Sequence, residues 1–321
     1  MMRFLLGATC ALLLPGLALA QPVNTGHLSA ELVSAAQGVA PGQTIHVALR
    51  QKIQQGWHTY WRNAGDSGEA TKLTWMLPPG WTASDFTWPT PHRLPVGPLT
   101  NYGYEGEVLL PVALTAPASA KPGSTVTLQA AAAFLVCADI CVPEDAVLTL
   151  QMPVTAGPAP ADPLWGVRIE KTLAEAPKPA GLTAAFETQG PLVRLAITGA
   201  PLKGVDAAGA YFFPFSGTAI DHAKPQAIER GPDGLTLSIT PGHDLLSPTP
   251  PRQLAGILAV GDKAYEVAAL PGPPPPGASG LGPPPVKAVA PAGAANLGLA
   301  SAAVFALLGG LILNLMPCVF P

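Results

Sequence analysis

Short runs of alternating apolar and polar residues, separated by turn residues, dominate the chain up to Leu270. In the first half these runs lie at residues 44–49, 107–114, 124–129 and 146–151. Period-two alternation that is rich in β-branched residues predicts strands, and Pro-Gly pairs such as Pro41-Gly42 mark the turns between them. The pattern predicts a β-sandwich over residues 21–157.

A second series of strand-like runs follows a proline-rich break at residues 158–163. Its members lie at residues 192–197, 210–213, 235–239 and 254–260. They predict a second β-sandwich over residues 163–270, and each module is long enough to bury its own core. A short helix is expected at the join, over residues 165–174. The predicted fold class is therefore all-β.

The N-terminal apolar segment has the layout of a signal peptide. Arg3 precedes the apolar stretch 4–19, and Ala18-Leu19-Ala20 supplies the small residues of a cleavage site. We predict a signal peptide over residues 1–20 that removes Cys10 and leaves Gln21 as the mature N-terminus. The modules that follow are therefore expected to be exported.

The C-terminal part combines a spacer with an apolar segment. Residues 271–295 are rich in proline and glycine and predict an extended linker. Residues 296–321 are apolar and long enough for the roughly 20 residues that span a bilayer. Asn314 and Pro317 predict a helix packed against other helices, so we expect the first, truncated helix of an α-helical membrane domain. A single tail anchor is the alternative.

Composition limits the possible partners. Charged residues make up 12% of the chain, against roughly 25% in average soluble domains. The formal net charge of -3 supplies no basic patch, which argues against a nucleic-acid partner. The chemistry of the mature chain is therefore expected at its cysteines, which are Cys137, Cys141 and Cys318.

The spacing of Cys137 and Cys141 restricts how they can be bridged. In one straight strand their Cα atoms would lie about 13 Å apart, whereas a disulfide spans roughly 4.4 to 6.8 Å. A bridge therefore requires a turn, expected at residues 138–140, where both thiols would be accessible. A disulfide that closes so short a loop stabilises the folded state by only roughly 2 kcal/mol. A redox-active pair, a structural bridge and a soft-metal site all remain open.

Neighbouring side chains limit the reactions that the Cys137 and Cys141 pair can undergo. Asp139, Glu144 and Asp145 would disfavour a thiolate by charge repulsion, so the pair is expected to receive the attack of another thiolate. A metal site needs further ligands, and none of the six histidines has ligand-like spacing; they are His27, His46, His58, His92, His222 and His243. No metal or other cofactor is predicted.

Three separated segments carry a family resemblance. Residues 56–68 (Gly-Trp-His-Thr-Tyr-Trp-Arg-Asn-Ala-Gly-Asp-Ser-Gly), residues 137–144 and residues 314–321 (Asn-Leu-Met-Pro-Cys-Val-Phe-Pro) occur in this order. Together they resemble the thiol:disulfide interchange protein DsbD family, in particular its ScsB-type branch, the suppressor of copper sensitivity proteins. The tryptophan-rich first segment is a family marker for which spacing alone suggests no chemistry.

The resemblance implies a protein-disulfide reductase of the bacterial inner membrane, with residues 21–295 in the periplasm. Family members pass electrons from cytoplasmic thioredoxin through a membrane domain to a thioredoxin-like domain, and then to an immunoglobulin-like N-terminal domain that reduces exported partners. By this likeness the first module is immunoglobulin-like. We predict the same fold for the second module, although the best-known members of the family have one such module. Cys137 and Cys141 are the catalytic exchanging pair, and Cys318 is the first membrane cysteine, whose partner lies beyond residue 321.

The resemblance also implies a cap and a set of partners. Family members cover the thiols with an aromatic-bearing loop, and Tyr102 and Tyr104 occupy the matching place. The ScsB likeness favours periplasmic thioredoxin-fold proteins as acceptors, including a disulfide isomerase, over the partners of cytochrome c biogenesis. A periplasmic copper-binding or copper-tolerance module and a structural immunoglobulin-like scaffold are the alternative functions.

Overall fold

A computed structural model describes residues 21–285 and 306–308 of the chain. The predicted signal peptide, Cys10, Cys318 and most of the predicted membrane helix lie outside these ranges. Residues 306–308 are helical. Within the described ranges, no helix is long and apolar enough to span a membrane.

Strands form at every position where the alternating pattern predicts one. The first module contains β1 (Val23–Asn24), β2 (Leu28–Ser34), β3 (Thr44–Ile53), β4 (His58–Gly65), β5 (Lys72–Met76), β6 (Thr82–Ala83), β7 (His92–Val96), β8 (Leu99–Glu105), β9 (Glu107–Thr115), β10 (Thr125–Cys137) and β11 (Cys141–Pro153). The second contains β12 (Lys178–Pro179), β13 (Thr183–Gln189), β14 (Leu192–Thr198), β15 (Tyr211–Pro214), β16 (Ala227–Arg230), β17 (Gly234–Ile239), β18 (Leu254–Val260) and β19 (Lys263–Pro271).

The first module is an immunoglobulin-like β-sandwich of two sheets. One sheet, called here the disulfide sheet, has the order β11-β10-β4-β8-β7, and β5 pairs with β10. The other sheet has the order β1-β2-β3-β9-β6. Alternate residues of both sheets meet in one core, represented by Leu49 and Leu110 from one sheet and Leu128 and Leu148 from the other. The sequence pattern predicted this all-β fold correctly.

The second module is built on one continuous path of paired strands, β15-β18-β19-β13-β14-β17-β16, with β12 also on β19. Strand β19 pairs antiparallel with β18 and parallel with β13. Side chains from both ends of the path, such as Phe212 and Leu237, share one core. Helix α1 (Trp165–Glu175) forms where it was predicted, and its Ile169 packs against Ala48 and Leu109 of the first module. Within residues 21–285, the other helical segments are α2 (His243–Leu246) and a 3-10 turn (Ala200–Leu202).

Side chains of strand β4 make contacts between the first module and the second. Trp61 is buried and its ring lies 6.2 Å from that of Phe213 and 5.9 Å from that of Phe215. The Asn63 amide nitrogen donates hydrogen bonds to the carbonyl oxygens of Pro214, at 2.7 Å, and Ser216, at 3.2 Å. These contacts explain why residues 21–284 belong to one compact unit. The division into domains at residues 157 and 163 stays a prediction.

A buried polar cluster lies in the same interface. The Tyr102 hydroxyl is 2.8 Å from the Tyr211 hydroxyl and 2.9 Å from His222 Nδ1. His222 Nε2 is 2.9 Å from the Gly217 carbonyl oxygen. Because a carbonyl can only accept, Nε2 carries a proton, and in the neutral imidazole Nδ1 then accepts a hydrogen bond from Tyr102. Burial raises the pKa of the Tyr102 hydroxyl well above its ordinary value, so this group acts as a neutral donor.

A second polar contact holds the N-terminal segment to β11. The buried Glu144 carboxylate accepts hydrogen bonds from the Thr25 hydroxyl and, at 3.0 Å, from the His27 amide, and it lies 2.6 Å from His27 Nδ1. Gly26 between them has φ +140°, and a Cβ there would lie 2.9 Å from the carboxylate. Burial by itself raises the pKa of Glu144, but the bonds from Thr25 and His27 outweigh it and hold the pKa below its ordinary value.

Replacing Tyr102 by Phe should lower the free energy of unfolding by about 1–3 kcal/mol, because His222 Nδ1 then loses its buried donor. Urea unfolding followed by circular dichroism measures the change. Tyr265→Phe is the matched control, since the described residues offer the hydroxyl of this half-buried tyrosine no hydrogen-bond partner. Equal stability of the two variants would contradict a stabilising role for this buried polar cluster at the module interface.

Glu144→Gln should destabilise the protein by about 1.5–3 kcal/mol at neutral pH, since charged hydrogen bonds are lost. The folded carboxyl has a lowered pKa, so its contribution is present above the ordinary value of 4.5 and disappears as the pH falls through the folded pKa. The stability difference from the native chain should therefore shrink in acid. Asp145→Asn, an exposed neighbour, is the control; a difference that does not change with pH would contradict this assignment.

Candidate active site

The two cysteines close the end of the β10–β11 hairpin. Cys137 is the last residue of β10, Cys141 is the first of β11, and the two are directly opposite in register. They form a disulfide with a Cα–Cα distance of 4.1 Å. The Ala138 amide donates a hydrogen bond to the Ile140 carbonyl oxygen at 2.9 Å, which closes the turn. The predicted turn at residues 138–140 is confirmed.

The two sulfur-bearing residues differ sharply in exposure. Cys141 is exposed, whereas Cys137 is only 1% exposed. The expectation that both thiols are accessible is therefore wrong for Cys137, because it lies inside the sheet between β11 and β4 while Cys141 lies on the edge strand. Next to Cys141, the apolar side chain of Ile140 is 66% exposed. Of the two bridged residues, Cys141 is therefore the one that an incoming partner can contact.

Strand β4 supplies the inner wall of the site. His58 is directly opposite Cys137, and residues paired in this way project from the same face of a sheet. Two residues on, the Tyr60 hydroxyl lies 3.8 Å from Cys141 Sγ and 3.3 Å from His58 Nε2. Burial lowers the pKa of His58, although the charge of Glu105 opposes this effect, and burial raises the pKa of Tyr60. Both side chains are therefore neutral at pH 7.

The segment of residues 65–71, called here the covering segment, closes over Tyr60. A Cβ on Gly68 would lie 2.2 Å from the Tyr60 ring, and Gly68 has φ +108°, so only glycine fits here. The segment is held by the Thr100 amide, which donates to Asp66 at 2.7 Å, and by Asn101, which accepts from the Ser67 amide at 3.1 Å. These contacts leave Tyr60 fully buried.

The structure corrects the position of the predicted cap. Tyr104 is directly opposite Thr59, so it projects from the face opposite to that of His58 and the disulfide. Its hydroxyl donates to the Pro89 carbonyl oxygen at 2.8 Å, and burial raises its pKa. Tyr102 lies on the same face, in the module interface. On the face that carries the disulfide, Tyr60 lies beside Cys141, and the covering segment closes over Tyr60.

The carboxylates near the cysteines are also arranged differently from expectation. Glu144 projects to the core face, opposite to that of Cys141, and is engaged with Thr25 and His27. Asp139 and Asp145 are exposed. Repulsion of a thiolate by Glu144 was therefore a wrong expectation. Within residues 21–285 and 306–308, no group of three or more potential ligands is placed to hold a metal ion.

Sequence reasoning missed His58 and Tyr60, although a signal for them exists in the tryptophan-rich segment. Once residues 58–65 are taken as a strand, His58 and Tyr60 fall on one face and Thr59, Trp61 and Asn63 on the other. The second set faces the core and the second module. The pairing of His58 with Cys137 could not be predicted without the fold, because the two residues are 79 positions apart in the sequence (137 − 58).

Comparisons with known proteins give one matching domain family and one similar fold. Residues 29–153 match the family model "Thiol:disulfide interchange protein DsbD, N-terminal". Among solved structures, the N-terminal periplasmic domain of ScsB from Proteus mirabilis aligns with a TM-score of 0.56 and 16% identity, over 79% of this chain and 98% of that one. Curated protein sequences contain no significant match. Residues 29–153 thus match the N-terminal domain of the thiol:disulfide interchange protein DsbD family, and the fold is similar to that of the periplasmic ScsB domain.

Proposed function

We propose that this chain is the periplasmic, partner-facing part of a transmembrane protein-disulfide reductase. Its Cys137–Cys141 pair receives electrons from a thioredoxin-like domain and passes them to exported thioredoxin-fold proteins by thiol-disulfide exchange. The observation that carries the proposal is the asymmetric bridge, in which Cys141 is exposed and Cys137 is 1% exposed. A bridge with one accessible sulfur supports directed exchange, because the mixed disulfide can form at only one position.

The exchange follows from this asymmetry. A thiolate of the donor attacks Cys141 Sγ, which forms a bond between the two proteins and breaks the bond to Cys137. The sulfur of Cys137 leaves with the electron pair and takes up a proton. A second donor thiol then attacks the donor's own sulfur in the mixed disulfide and releases Cys141 as a thiol. The reduced pair carries two electrons and reduces an acceptor by the same steps in reverse.

The remaining parts of the relay rest on the family resemblance. Cytoplasmic thioredoxin would supply electrons through the membrane domain that begins near Cys318. Acceptors would be periplasmic thioredoxin-fold proteins, among them a disulfide isomerase, in preference to the proteins of cytochrome c biogenesis. We place residues 21–295 in the periplasm and the apolar segment that follows in the inner membrane. A copper-tolerance role would then follow from the reduction of partners.

Trapping a mixed disulfide tests which sulfur is attacked. In the full chain with Cys10→Ala and Cys318→Ala, Cys137→Ser leaves the exposed thiol and Cys141→Ser leaves the buried one. The probe is thioredoxin with a single active-site cysteine, activated as its thionitrobenzoate disulfide. Cys137→Ser should react at least about tenfold faster, since exchange depends on access. The absorbance of released thionitrobenzoate gives both rates.

The matched control is the same pair of variants unfolded in guanidinium chloride, where their rates should become similar because burial is lost. Equal rates in the folded proteins, or faster reaction of Cys141→Ser, would contradict the proposed attack at Cys141. No reaction of either folded variant would contradict the exchange function itself.

A further inference from the structure

A row of chemically active side chains crosses four strands of the disulfide sheet. Cys141 is opposite Cys137, Cys137 is opposite His58, and His58 is opposite Glu105. Directly opposite residues in antiparallel strands have Cβ atoms about 4.5–5.5 Å apart on the same face. The register therefore places a thiol pair, an imidazole and a carboxylate side by side, although they come from distant parts of the chain.

Tyr60 connects two members of this row, Cys141 and His58. Its hydroxyl is within 3.8 Å of Cys141 Sγ and within 3.3 Å of His58 Nε2. The Tyr60 and His58 rings meet edge to face with centroids 5.1 Å apart. A hydroxyl can accept one proton while it donates another. The arrangement Cys141–Tyr60–His58 is thus a continuous path for a proton through a buried site.

We propose that Tyr60 and His58 carry the proton of the Cys141 thiol, with His58 Nε2 as its acceptor and Glu105 as the charge that stabilises the imidazolium. This inference rests on the proposed exchange function. For Nε2 to accept, the neutral imidazole carries its own proton on Nδ1. Tyr60 and His58 are positioned to control when the exposed sulfur becomes a nucleophile.

The step balances without any additional reactant. In the reduced protein the Cys141 S–H proton moves to the Tyr60 oxygen while the Tyr60 proton moves to His58 Nε2. The sulfur keeps the electron pair and attacks the partner's disulfide, so that one S–S bond forms and one breaks, and the partner's second sulfur leaves as a thiolate. Tyr60 stays neutral throughout, which agrees with the direction of its pKa shift.

Charges around His58 determine the pH dependence. The groups that face it are Tyr60 on its own strand, Cys137 on β10 and Glu105 on β8, with Cys141 on β11 reached through Tyr60. An opposite charge within about 4–6 Å shifts a pKa by about 1–3 units. The imidazolium that this transfer forms should therefore raise the thiolate fraction of Cys141 most below the ordinary thiol pKa. It should add nothing at high pH, where solvent removes the thiol proton without the relay.

The test measures alkylation of Cys141 by iodoacetamide between about pH 5 and pH 10, a range that brackets the ordinary thiol pKa. The full chain carries Cys137→Ser, Cys10→Ala and Cys318→Ala, so Cys141 is the thiol that reacts. His58→Gln should react about tenfold more slowly near pH 6, and the difference should close above about pH 9, where solvent removes the proton. Tyr60→Phe, which removes the relaying hydroxyl, should behave in the same way.

His46→Gln is the matched control, since His46 also lies on a strand of the first module and contacts a carboxylate, Glu170, at 3.0 Å. Its rate profile should equal that of the parent. A rate ratio that is constant over the whole pH range would assign His58 a structural role only and overturn the relay. Identical profiles of the parent and both relay variants would overturn it as well. Because iodoacetamide needs no partner protein, this result is independent of whether thioredoxin exchanges with Cys141.

Discussion

The pairing of Cys137 with His58 is the contact on which the rest of the site depends. It is the register pair that joins β10 to β4, and it brings the hairpin that carries the disulfide against the strand that carries Tyr60. Because side chains alternate along a strand, β4 serves two purposes. His58 and Tyr60 face the disulfide, while Trp61 and Asn63 face the core and the second module. The two faces of β4 therefore contribute to different parts of the protein, one to the redox site and the other to the module interface.

Burial of one sulfur and exposure of the other follows from this position. Cys137 lies between two strands of the sheet, whereas Cys141 begins the edge strand β11, where the backbone opens to solvent. Tyr60 lies beside the bridge, and the covering segment closes over Tyr60. The Thr100 amide donates to Asp66 of the covering segment, and the Ser67 amide of that segment donates to Asn101, so both hydrogen bonds attach the segment to β8. A site held on several strands in this way can keep one sulfur ready for attack and the other protected.

The alternating pattern was enough to predict the strands, helix α1 and the hairpin turn, because these depend on local periodicity and on short-range geometry. It was not enough to place the side chains around the disulfide. Tyr102 and Tyr104 matched a family cap by position along the chain, yet the register with Thr59 turns Tyr104 to the other face. His58 and Tyr60 carried no recognisable spacing to Cys141, since their proximity arises from long-range strand pairing. The orientation of Glu144 was predicted wrongly for a similar reason. Side chains alternate along β11, and Glu144 is on the face that is directed to the core.

The reduction potential of the Cys137–Cys141 pair is the most direct test of the account. The full chain with Cys10→Ala and Cys318→Ala would be equilibrated in glutathione buffers of known potential, and the remaining thiols labelled and counted. A redox-active bridge should give a value in the range of thioredoxin-like carriers, roughly -180 to -270 mV. A value below about -300 mV is that of a structural disulfide. It would mean that the bridge only holds the hairpin together, and it would contradict the proposed exchange.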